Sequence, residues 1–360
     1  LEKQNLEKSR IIGLDLLRVI AVVLVTYMHI LIELPELYFG FNSLKFLPRG
    51  SDVFLVLSGF LVGQIIIKAC EKAERVNFQF VRNFLFRRWL RTIPAYYLIL
   101  AVQALLLYFG LVKGTLNVYF FAYPIFMQNF IIHFDFLMWE SWSLSVHEWF
   151  YVIFPFMVLV LLRLKVLQLS KKKVLLIAIL SMTLFSIAFR MQLNADLDWD
   201  LYYRKLVLSR LDSIGIGLLV AFVKVYYPQV FTKFKWHYLL IGLVAYHFCW
   251  HYSYQNQFFN QVPYLTLVAI CIAISIPWFY QITTLGKLNS PVYWLSQVSY
   301  SFYLVHLPLL QTIITLKKQY QWEWNWTIVL PIYLILALML SFALHLGYER
   351  KFIQFGNRFK

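Results

Sequence analysis

Apolar blocks about twenty residues long recur along this chain, and they leave it few folds to adopt. A helix of roughly twenty residues crosses the hydrocarbon core of a bilayer. Only helices and closed barrels satisfy every backbone N–H and C=O there. The blocks are continuous rather than alternating, so they read as helices. Ten spans are placed, at 11–33, 51–68, 91–110, 144–162, 174–190, 207–224, 237–253, 262–281, 293–315 and 326–348. Of 360 residues, 61% are hydrophobic and 14% charged, far from a soluble composition. The expected fold is therefore all-α: a polytopic membrane helix bundle forming one domain over 1–360, with no appended soluble domain. The first block is too long for a cleavable signal, and no small-residue cleavage site follows it. The block 118–132 is apolar but short and reads as a re-entrant or interfacial piece.

A net charge of +16 would suggest nucleic acid in a soluble protein. Here the cations sit in short segments between spans, which is the pattern that sets membrane orientation. With the N-terminus in the cytoplasm, 23 Lys and Arg fall on the inside and 8 on the outside. That split expects both termini to be cytoplasmic, and it puts the acidic loop 194–200 outside. Cys70, Cys249 and Cys271 form no CxxC pair and read as structural. His133, His237, His251 and His345 are scattered, so no metal site is expected. The second half lacks the inverted-repeat look of many transporters.

Ionisable residues inside the spans are the functional signal, because each is costly in hydrocarbon unless paired or hydrated. Arg18 and His29 lie eleven residues apart in the first span. That is about 20° past three turns, so both face one side, separated by roughly 16 Å of rise. Asp15, three residues before Arg18, can pair with it. The spacing suits a long molecule entering from the cytoplasm, its anionic head at Arg18 and its reactive tail at His29. The plainer alternative is an arginine snorkelling to lipid phosphate above a packed histidine. In NFLFRRWLRTIP, 83–94, Arg88 and Arg91 share a helical face, and arginine forks suit phosphate. Ordinary cationic anchoring would also place them there. In ESWSLSVHEWFYVIFP, 140–155, His147 and Glu148 offer a base and a carboxylate, amid aromatics that would equally suit an interfacial belt. Asp52, the Ser58–Gly59 pair, an internal pair of Arg210 with Asp212, and His306 two residues before Pro308 each read singly as structural.

Together these segments resemble membrane acyltransferase family 3, the bacterial integral-membrane O-acyltransferases that modify cell-surface glycans. Arg18 with His29 looks like the family's Arg/Lys-to-His motif, and GSDVFLVLSGFLVG like its second-span signature. RRWLR looks like its Arg-x-x-Arg motif, and WSLSVHEWFYVIFP like its Trp-Ser-Leu-x-Val-Glu segment. RLDSIGIG and SYSFYLVHLPLL resemble its later landmarks. One departure stands out: His147 occupies the place where the family commonly has Glu, and Glu148 follows one residue later. Either residue can then take the helper role.

The resemblance implies an enzyme with acetyl-CoA, or another acyl-CoA, as cytoplasmic donor and no metal. It implies a hydroxyl on an extracytoplasmic glycan or glycolipid as acceptor, in the cell membrane. Arg18, Arg88 and Arg91 would hold the donor's phosphates, and His29 would be general base or acyl carrier. Glu148 or His147 would orient it or move protons. The transfer would finish within the bundle or pass to a separate glycan-assembly or acyl-acceptor protein. The rival reading is a glycolipid transporter or flippase without acyl transfer.

Overall fold

The protein is described by a computed structural model over residues 10–37, 47–72, 77–132, 137–163 and 169–358. It is a polytopic helical bundle, with no strand among the described residues. The principal helices are α1 (Ile12–Glu33), α2 (Gly50–Lys72), α3 (Phe78–Tyr108), α4 (Trp142–Arg163), α5 (Lys171–Gln192) and α6 (Val207–Tyr226). They continue as α7 (Trp236–Ser253), α8 (Tyr264–Ala273), α9 (Ile276–Gln281), α10 (Asn289–Gln319), α11 (Trp326–Leu344) and α12 (Arg350–Gly356). Among the described residues, seven helical stretches are long and apolar enough to cross a membrane. The expected spans at 207–224, 237–253 and 293–315 are also helical, but fall outside those seven. The expected span at 262–281 breaks into α8 and α9 around Ile274–Ser275, with Pro277 supplying a first-turn residue that needs no N–H partner. The block 118–132 forms a 3₁₀ turn at Val118–Ala122 and further turns, without a spanning helix.

Two local devices start the helices that carry the site. Asp15 lies in the first turn of α1, where a carboxylate complements the exposed backbone N–H groups. Asn77 caps α3 by accepting a hydrogen bond from the Phe80 N–H at 2.9 Å.

The core centres on α2 and α6, the most closely packed pair. A Cβ on Gly59 would stand 2.1 Å from the Ile214 carbonyl oxygen, and one on Gly217 2.0 Å from that of Val56. The two backbones touch because both residues lack a side chain, the small-residue contact that membrane helices use. α5 and α8 pack on α6, while α1 joins α2 to α10. Large apolar side chains turned outward, such as Val23, Leu184, Phe185 and Met339, give the bundle a lipid-like exterior.

The interior is charged where helices meet. Arg210 pairs with Asp52 at 2.5 Å across α6 and α2. Asp212 pairs with Arg190 of α5 at 2.8 Å, and both are fully buried. The expected internal pair of Arg210 with Asp212 is thus corrected: each bonds to a different helix. Two residues apart on a helix, the two side chains diverge by about 200° and cannot face one another. Arg190, near the C-terminal end of α5, is a core residue whose Nε donates to the Val262 carbonyl at 3.0 Å.

Candidate active site

α1 lines two separate cavities, one at each end. The first, about 790 Å³, lies at the N-terminal end of α1 and the C-terminal end of α2. Arg18, Arg88, Arg91, His147 and Glu148 all line it, together with Arg10. Five of the six site residues predicted from sequence therefore share one space. The second, about 520 Å³, lies at the other end of both helices and contains His29.

In the first cavity Asp15 is the hub. It accepts from Arg18 at 3.0 Å, from Arg10 at 2.6 and 2.8 Å, and from Ser296 Oγ at 2.7 Å. The predicted pairing of Asp15 with Arg18 is present, but it is shared with Arg10, which sequence reasoning missed. Arg88 and Arg91 have no carboxylate within ion-pair distance among the described residues. Arg88 instead lies over the rings of Tyr151 and Phe84, at 5.6 and 5.7 Å. Glu148 accepts from Thr92 Oγ1 at 2.7 Å, whereas its Oε2 has no partner among the described residues. His147 donates from Nδ1 to the Ser143 carbonyl one turn back, at 2.7 Å, and its Nε2 likewise has none.

In the second cavity the His29 ring meets His306 of α10. Nδ1 of His29 and Nε2 of His306 are 2.8 Å apart. The two rings lie within 9° of parallel, and Trp139 packs its edge against His29 at 4.8 Å. Neither His147 nor Glu148 is beside His29; the partner is a histidine that its sequence context marked only as structural. Its single clue was Pro308, which lacks the N–H that would bond the Leu304 carbonyl and so disturbs α10 at this turn.

Charges rim the second cavity. Lys113 pairs with Glu33 at 2.7 Å, and Gln311 donates to the same carboxylate at 2.7 Å. Asp200 bonds to Arg204 and pairs with Lys205 at 2.8 Å. Burial alone would raise the Asp200 carboxyl, but the charges of Arg204 and then Lys205 overcome it and hold it well below the ordinary range. Burial, then the neighbouring Arg49, pushes the Arg204 guanidinium down. Arg204 and Lys205 also sit over Trp142 and Trp139, at 5.0 and 5.5 Å.

Tyr303 of α10 lines both cavities. Its hydroxyl is 3.0 Å from Ser143 Oγ and donates to the Glu140 carbonyl. It is the shared wall between the arginine-lined space and the histidine-lined one, and no spacing in the sequence distinguished it. His133 lies outside the described residues; among those described, no group of three or more His, Cys, Asp or Glu is placed to hold a metal.

Comparison with known proteins shows the family. The family model described as an acyltransferase domain, acyltransferase family 3, matches residues 11–346. The peptidoglycan O-acetyltransferase OatA of Listeria monocytogenes is 30% identical over 168 residues, covering 42% of this chain and 24% of that protein. The Bacillus subtilis protein YrhL, named as a candidate peptidoglycan O-acetyltransferase, is 27% identical over 330 residues, covering 83% of this chain and 48% of that protein. The chain thus spans about half or less of the curated relatives it matches. No solved structure is significantly similar. With the family model covering nearly all of the sequence, landmarks and cavities included, the chain belongs to acyltransferase family 3.

Proposed function

We propose that this chain is a multi-pass enzyme of the cell membrane that moves an acyl group, acetyl first among them, from cytoplasmic acyl-CoA to a hydroxyl of an extracytoplasmic glycan or glycolipid. The observation that carries this reading is the pair of cavities at opposite ends of α1 and α2, divided by Tyr303. An arginine-rich space at one end suits a polyanionic donor, and a histidine at the other suits a hydroxyl acceptor. The relatives' names point to a cell-wall glycan as the acceptor.

The donor's phosphates lie against Arg88 and Arg91, whose guanidinium groups are not consumed by carboxylates, with Arg18 and Arg10 anchored on Asp15 beside them. His147 and Glu148 line the same space and lie against the rest of the donor. The slender pantetheine arm then carries the thioester past Tyr303 towards His29. There His29 takes the proton from the acceptor hydroxyl as its oxygen attacks the thioester carbonyl. The C–O bond forms, the C–S bond breaks, and the proton returns to the departing thiolate. Products are the ester and free CoA. Seclusion from bulk water keeps the thioester from hydrolysis.

The test is transfer from labelled acetyl-CoA by purified protein in nanodiscs, wild type beside His29→Ala, with cell-wall glycan fragments as acceptor. Acetylated glycan from the wild type and at least a hundredfold less from a folded His29→Ala protein is the expected result. Full transfer by His29→Ala sinks the assignment of His29. Glycolipid translocation without donor binding would replace the enzyme by the rival transporter.

A further inference from the structure

His306 has a task that follows from which atoms around it can carry hydrogen. Its Nδ1 is 3.0 Å from the Phe302 carbonyl oxygen and 2.9 Å from that of Tyr303. Carbonyl oxygens only accept, so Nδ1 of His306 carries a proton. In the neutral ring Nε2 is then a bare acceptor. The atom facing it at 2.8 Å is Nδ1 of His29, which must therefore be the donor. That leaves Nε2 of His29 as the unprotonated nitrogen. It makes no hydrogen bond within the described residues, and the ring that bears it lines the second cavity.

We propose that His306 is a positioning residue that locks His29 in its Nδ1–H tautomer and thereby presents the Nε2 lone pair to the acceptor hydroxyl. The inference rests on the reading of His29 as the general base. Hydrogen bonding at one ring nitrogen decides which form the other takes, and here the choice is passed along two rings from the backbone of α10. The rings are held by more than this bond. Phe302 stacks on His306 at 5.6 Å, Trp139 packs against His29 at 4.8 Å, and His306 is wholly buried. When His29 takes up the hydroxyl proton it becomes an imidazolium with both nitrogens donating. The His306 acceptor then faces a stronger donor, so the contact strengthens as charge develops rather than before it. His306 itself need neither gain nor lose a proton.

The experiment joins kinetics to a direct view of the tautomer. Histidine is labelled with ¹⁵N in the full chain in nanodiscs, and the His29 signals are identified by their loss in His29→Gln. In wild type, Nδ1 of His29 should resonate as a protonated nitrogen and Nε2 as a bare one. His306→Phe keeps a planar side chain but removes the acceptor. It should move His29 towards the Nε2–H form and lower kcat about a hundredfold, with KM for acetyl-CoA unchanged. His306→Gln can offer an amide oxygen at about the place of Nε2, and it should keep kcat within about tenfold of wild type with the wild-type tautomer. A His29 protonated on Nε2 in the wild type overturns the proposal, even if neither variant folds. So does His306→Phe with unchanged kcat, or His306→Gln no better than His306→Phe. The spectrum needs no acyl transfer. An active His29→Ala protein would therefore remove the reading of His29 as the general base while leaving the tautomer measurement to stand separately.

Discussion

At the scale of single residues, the site depends on which cations are already spoken for. Arg18 and Arg10 converge on Asp15, so part of their charge is neutralised within the protein. Arg88 and Arg91 have no carboxylate in ion-pair contact among the described residues, and aromatic faces lie against Arg88. Loss of one charge-assisted contact to a phosphate weakens binding by about 1.4 kcal/mol, a factor of ten. Arg91→Gln is accordingly expected to raise the Kd for acetyl-CoA about tenfold with kcat little changed, and the gap should narrow at high salt as phosphate contacts are screened. Equilibrium binding of labelled acetyl-CoA at low and high ionic strength checks this. Asp15→Asn is a different case, because it frees two guanidinium groups and removes the only carboxylate that pairs with them among the described residues. Arg18 and His29 could be singled out from sequence because helical spacing puts them on one face. His306 could not be joined to them, since 277 residues separate it from its partner.

At the scale of elements, the decisive contact is between α2 and α6. Gly59 and Gly217 bring two backbones together, and nothing there can move aside except the helices themselves. Forcing extra atoms into such a seam costs about 1–3 kcal/mol, often with a shift of the helices. Gly59→Val is expected to lower the melting temperature in detergent by several degrees and to reduce activity, since α2 walls both cavities. A melting curve matching wild type would show that the seam tolerates a side chain. The sequence marked Ser58–Gly59 as structural but could not say which helix packs on it. It paired Arg210 with Asp212 because they are neighbours in the chain. The structure separates them onto Asp52 and Arg190, because partners in a bundle are set by helix faces rather than by adjacency.

At the scale of the whole molecule, the two cavities make a prediction about orientation. If the donor comes from the cytoplasm, the first cavity and the ends of α1 and α12 near it face inward. The acidic loop at 194–200, near the second cavity through Asp200, then faces outward. In a protein whose three cysteines are replaced by serine, Ala195→Cys should react with an impermeant maleimide on intact cells. Gln354→Cys should react only after lysis. Labelling of both from one side would break the assignment of donor and acceptor ends. What the sequence determined by itself was membrane residence, the helical class and the spacing of the ionisable residues along α1. Each of these depends on composition and on the fixed rise and turn of a helix, which are local properties. The division into two cavities, the wall at Tyr303 and the pairing of His29 with His306 came only with tertiary structure. They arise where α10 packs against α1, and no local rule tells a chain which of its distant helices will meet.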